Sequence, residues 1–138
     1  MRMQRGLTLP EVLIVITIVG ILAGIALPNY QGYVQRSQLS EAFDGMSAHR
    51  LRMEQAFHNN GNFGVGACAV AAPNATVNFT FVCDITDGGQ GYLMRADGIG
   101  RMAGFAFTVD DDGRRITTAF PDHPTLPANC WMSKKGEC

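Results

Sequence analysis

The sequence predicts an α+β fold. One long amino-terminal α-helix, with a membrane half and an amphipathic half, packs on a four-stranded antiparallel β-sheet, and a disulfide-tethered carboxy-terminal loop follows. Three observations predict it. Val12 to Leu27 carries no charge. Leu39, Ala42, Phe43, Met46, Met53 and Phe57 then recur at helical spacings. After Gly61 come short runs that alternate apolar and polar residues, separated by Gly- and Asp-rich turns.

The apolar run comes first. Extended back to Leu7 it has about 20 residues, enough for a helix across a ~30 Å hydrocarbon core. Arg2 and Arg5 precede it, so its amino end should face the cytoplasm and the bulk of the chain should face outward. Glu11 sits just inside, where a charge in lipid costs about 2.5–3.5 kcal/mol. A secretory signal peptide would use Arg2 and Arg5 as its basic region and a small-residue site near Ala23–Ala26. That reading leaves Glu11 unexplained, and a plain membrane anchor does the same. Pro28 has no N–H to donate and should kink or locally open the helix. Gly20, Gly24 and Gly32 lower helix propensity around it by up to ~1 kcal/mol each. Gly20 and Gly24 also match the small-residue spacing that lets membrane helices approach closely.

The second half of the helix carries its apolar stripe opposite Arg36, Glu41, Asp44, Arg50, Arg52 and Glu54. It should end near His58, before Asn59-Asn60-Gly61. Leu9 to His58 as one helix would span roughly 75 Å. Val77, Phe79, Phe81, Cys83 and Ile85 then alternate as a first, half-buried strand. Tyr92 to Ala96 is the second, Phe105, Phe107 and Val109 mark the third, and Arg114 to Ala119 is the fourth. The short connections Asp87–Gly91, Asp97–Gly100 and Asp110–Gly113 imply an antiparallel meander with its Phe-rich face on the helix.

From Phe120 the chain is turn-rich, and Pro121, Pro124 and Pro127 exclude a regular helix. Four cysteines, Cys68, Cys83, Cys130 and Cys138, follow the apolar run, and none forms a C-x-x-C pair. An even count in a small domain beyond a membrane segment points to two disulfides in an oxidising compartment. Counting leaves three connectivities open. Locality favours Cys68–Cys83 and Cys130–Cys138, the second closing a loop around Trp131, Lys134 and Lys135.

The bulk composition narrows the function. The chain has 138 residues, 46% hydrophobic and 17% charged, with a formal net charge of −1. That suits one domain plus an appendage and gives no global basic field for nucleic acid. The "DDDG" run lacks calcium-loop spacing and reads as a hairpin turn. His49, His58 and His123 share no ligand spacing and read as surface histidines, so no metal and no cofactor is expected. A phosphate loop and a nucleophile elbow are both absent from the sequence. The Asn74 and Asn78 glycosylation patterns read as chance matches. Arg101, Arg114, Arg115, Lys134 and Lys135 gather in the last part of the chain. They are a candidate patch for DNA backbone or another anion, with Arg114, Arg115, Lys134 and Lys135 at its centre. The favoured reading is a solvated face balanced by the nearby aspartates.

Gly6-Leu7-Thr8-Leu9-Pro10-Glu11, the apolar run behind it, and "ALPNY" together resemble the amino terminus of type IV pilins. The resemblance implies a leader over residues 1–6, a transmembrane and assembly helix over 7–28, and a globular pilin head over 29–138. It implies cleavage between Gly6 and Leu7 by a prepilin peptidase and N-methylation of Leu7. Glu11 becomes the fifth mature residue, and Gly20, Pro28 and Tyr30 match family positions. In the family, the amine of an incoming subunit meets the carboxylate at Glu11 of a subunit already assembled. Two residues depart from the pattern. Leu7 stands where the family most often has Phe, and Pro10 where it has an aliphatic residue. Proline is tolerated in a first helical turn. "CWMSKKGEC" and "RMEQAFHNNGNF" also resemble a subgroup of small minor pilins.

The implied role is a structural subunit without catalysis, inserted in the bacterial inner membrane and then assembled into an extracellular pilus. Its implied partners are other pilin subunits, the prepilin peptidase and methyltransferase, and the inner-membrane assembly machinery. A pseudopilin of type II secretion shares the amino-terminal logic, and a DNA-uptake receptor pilin stays open as a rival; DNA is not favoured as a partner.

Overall fold

A computed structural model describes residues 8–123 and 125–138, with the side chains of Pro28 and Asn29 outside the description. Gly6, Leu7, Arg2, Arg5 and Pro124 lie outside the described residues. The chain divides into two compact units, Met1–Gln35 and Arg36–Cys138.

A single helix, α1, covers Leu9–Asn60. It ends two residues beyond the expected His58. Gly61, at φ 73°, returns its N–H to the Phe57 carbonyl across 2.7 Å and takes the left-handed conformation that closes a helix. The opening expected at Pro28 does not interrupt α1. A proline removes one donor from the ladder, and the bonds on either side can carry the helix past it.

In the second unit the sheet is an antiparallel meander in the order β1-β2-β3-β4. Its strands are β1 Phe79–Thr86, β2 Gly91–Gly98, β3 Ala106–Asp110 and β4 Arg115–Ala119. β1 begins later than expected, and Val77 is 87% exposed rather than half-buried. The cause is a tight turn. The Thr76 hydroxyl accepts the Phe79 and Asn78 amides at 3.0 and 3.3 Å, and the Thr76 amide donates to the Phe79 carbonyl at 2.8 Å. Phe105 precedes β3 yet is buried against Phe120, ring centroids 4.8 Å apart. Ala106 pairs with Ala119 but Phe107 with Thr117, so Thr118 is the extra residue of a bulge in β4.

The core lies between the second half of α1 and the inner face of the sheet. Leu39, Ala42, Met46, His49 and Met53 are fully buried on the helix side. Phe79, Tyr92, Met94, Ala96, Phe107 and Val109 face them from the strands. Gly45 makes this approach close, because a side chain there would meet the Phe81 ring at 3.1 Å. Phe43 stacks on Trp131 at 5.2 Å and meets the edge of Phe107 at 5.0 Å.

The edge of β4 is covered by the tail. Thr117 and Ala128 exchange backbone hydrogen bonds of 2.9 and 3.0 Å. Disulfides join Cys68 to Cys83 and Cys130 to Cys138. The first ties the loop after α1 to β1, and the second closes the tail that Thr117 holds.

Candidate functional site

At the start of α1, Thr8 is the residue before the first helical turn and Glu11 is the third residue of that turn. The Thr8 amide donates to Glu11 Oε2 at 3.4 Å, while the Glu11 and Val12 amides donate to the Thr8 carbonyl at 3.1 and 3.2 Å. This is one half of a capping box. The carboxylate turns back toward the amino end and receives a donor that the helix cannot satisfy itself. The Thr-x-x-Glu spacing of the sequence is the local signal for this contact. Pro10 falls between the two residues, in the first turn, where its missing N–H removes no intrahelical bond. Glu11 thus stands in the first turn of α1, at the positive end of the helix dipole.

Beyond Glu11 the helix offers an apolar surface on every side. Ile14, Ile18, Ile21, Leu22, Ile25 and Leu27 are each more than half exposed, and residues 8–27 are exposed throughout. The helix is long and apolar enough to cross a membrane. Thr17, the one hydroxyl of the run, donates to the Leu13 carbonyl at 2.7 Å and so carries its own acceptor into an apolar phase. Nothing in the described chain lies within 4 Å of where side chains at Gly20 or Gly24 would begin.

Arg114 and Lys134 of the basic cluster are ion-paired. Arg114 pairs with Asp110 and Asp112, each at 3.0 Å. The Lys134 amine pairs with Glu137 at 3.0 Å. Arg115 lies 4.6 Å over the Trp131 ring. With Ile116 and Asn129, Arg114 and Arg115 line a shallow surface pocket. Lys135 is exposed, and Arg101 is exposed in the turn between β2 and β3.

His49 corrects the sequence reading, which put all three histidines on the surface. His49 is fully buried, although its spacing already said so: 39, 42, 46, 49 and 53 step by three and four along one face. Its Nε2 lies 3.1 Å from the Val70 carbonyl, an acceptor that calls for an N–H on that nitrogen, while Nδ1 is buried without a partner among the described residues. Burial pushes the His49 imidazole below its usual range, the Val70 bond opposes this, and Arg52 adds to it. The ring is therefore neutral, with its proton on Nε2. Tyr92 meets it edge-on at 6.4 Å. Burial pushes the Tyr92 hydroxyl up to about 12, against the pull of Arg50.

The family model described as the prokaryotic N-terminal methylation motif matches residues 1–27. A fimbrial protein of Eikenella corrodens is 44% identical over 81 residues, 59% of this chain and 52% of the relative. A type IV major pilin protein of Neisseria gonorrhoeae is 36% identical over 102 residues, 72% of this chain and 48% of the relative. The chain thus spans about half the length of the curated relatives it matches. A solved type IV pilin from Shewanella oneidensis superposes with a TM-score of 0.53 over 71% of this chain and 98% of that one. At 17% identity that likeness shows the fold.

Proposed function

We propose that this chain is a type IV pilin, a structural subunit of the pilus filament, of the minor class and without catalysis of its own. It enters the inner membrane through α1 with its amino terminus in the cytoplasm. Prepilin peptidase cuts between Gly6 and Leu7, Leu7 is N-methylated, and the inner-membrane assembly machinery moves the subunit into an extracellular filament. The observation that carries this reading is the amino-terminal helix itself. An apolar surface exposed on all sides begins one turn past Glu11 and needs lipid first and other helices later. Cleavage would free a positive amine at Leu7. An incoming subunit's amine could then neutralise Glu11 in low dielectric, where an unpaired carboxylate is costly. The minor class is supported by the likeness of the "CWMSKKGEC" tail to small minor pilins.

Amino-terminal sequencing and intact-mass measurement of the mature chain test the processing. The expected first residue is Leu7 carrying one methyl group, and a start near Leu27 would overturn the reading in favour of a secreted domain. Quantitative mass spectrometry of sheared filaments tests the class: a small fraction of total pilin is expected, and a dominant fraction overturns the minor assignment.

A further inference from the structure

Residues 61–78 join α1 to β1 without regular secondary structure, a long connection for so small a head. Its two ends are well fastened. At the start, the Phe63 amide donates to Gly89 at 2.8 Å and the Ala69 amide to Phe63 at 2.7 Å. At the finish, Thr76 is held to Phe79, and the Asn78 amide group donates to Glu41 at 2.7 Å. The middle has two fastenings from opposite sides. Cys68 is bonded covalently to Cys83 on β1, and the Val70 carbonyl receives its hydrogen bond from His49 on α1.

We propose that His49 is an acid-sensitive clamp on this loop: a proton taken up at Nδ1 drives the ring out of the core and unfastens the loop from α1, while the Cys68–Cys83 bond keeps it on β1. The neutral ring spends its one N–H on Val70. Protonation leaves that bond intact but creates a second N–H at Nδ1, an atom that is buried with no partner among the described residues. An imidazolium with one unsatisfied donor in an apolar site costs more than a ring in water, and the Val70 bond is lost when the ring leaves.

The surroundings offer the new charge little relief. On α1, Arg52 repels it, and Arg50 is itself paired with Glu54 at 2.8 Å. From β2 the facing group is Tyr92, a neutral phenol throughout the acid range. Asp110 and Asp111, at the β3–β4 turn, bear on Tyr92: Asp111 accepts the Tyr92 amide at 3.3 Å, and Asp110 is paired with Arg114. The loop itself contributes the Val70 carbonyl and no titrating side chain, because Cys68 is in a disulfide.

Hydrogen exchange on the full-length chain in detergent micelles tests this, at pH 7.5 and pH 5.0, with rates corrected for the intrinsic effect of pH. Peptides covering residues 66–76 are expected to lose protection by ~10-fold or more at pH 5.0, while those of β2 and β3 keep theirs. In His49→Gln, which cannot titrate, loop protection is expected to be the same at both pH values. The proposal is overturned if the wild-type loop stays protected at pH 5.0, if β2 and β3 lose protection together with it, or if His49→Gln shows the same acid loss. Should that variant not fold, the carbon-13 shifts of the wild-type imidazole decide. Their midpoint must coincide with the loop's loss of protection, and a separate midpoint overturns the clamp.

Discussion

Thr117 donates its hydroxyl to the Cys130 carbonyl across 2.6 Å and, with the same oxygen, accepts the Met132 amide across 2.9 Å. Thr117 is fully buried, and its backbone also pairs with Ala128. One residue of β4 therefore holds the tail at three points and seals an edge that would otherwise present unpaired backbone groups. Thr117→Val keeps the shape and removes the hydroxyl, leaving the buried Met132 amide and the half-buried Cys130 carbonyl without their partner. A loss of about 1–3 kcal/mol is expected, read as a lowered urea midpoint at unchanged slope. Thr117→Ser, which keeps the hydroxyl, should lose markedly less.

Phe43 lies between Trp131 and Phe107 and joins the tail to the core. Phe43→Ala should cost about 3 kcal/mol, the lower end for a phenylalanine truncated in a core, since the ring is only partly buried. The chain has one tryptophan, so the folded-state fluorescence reports Trp131 alone. A red-shifted emission maximum in the variant is expected, and an unchanged one would show that the stack does not shield the indole.

The two buried titrating groups set limits on pH stability. The imidazole of His49 lies below its ordinary 6.5 in the fold, so its contribution is complete above pH 6.5 and is lost as pH falls through the folded value. Tyr92 is raised from 10.0 to about 12, so its contribution is complete below pH 10 and is lost as pH rises through 12. Stability against urea is expected to level off between these limits. Tyr92→Phe should flatten the alkaline decline while leaving the acid one in place.

Glu11→Leu removes a carboxylate whose partner in this chain is one backbone amide. Insertion into membranes should be unimpaired or improved, since the costliest side chain of the helix is gone. Incorporation into filaments should fall, measured as the tagged variant's share of sheared filaments against its share of membranes. Equal shares would show that the carboxylate plays no part in assembly.

Much of this protein is local in origin, and local features are legible along the chain. The apolar run, the three-and-four stripe of α1 and the alternating strands each depend on residues a few positions apart, so period alone locates them. Turn glycines likewise announced the meander, and Gly113, at φ 77°, occupies its hairpin because a side chain there would be strained. The Thr8–Glu11 contact was equally local and equally legible.

The tertiary structure decided what depends on distant partners. His49 reads as polar, and only the arrival of Val70 from 21 residues away makes its burial tolerable. Arg114 reads as a free cation until the hairpin brings Asp110 and Asp112 to it, which pairs one member of the basic patch. Thr117 looks like any strand residue, yet the returning tail makes it a hinge of the fold's edge. A side chain's cost or worth in these cases is set by which group fills its hydrogen-bonding capacity, and that pairing exists only once remote segments have packed.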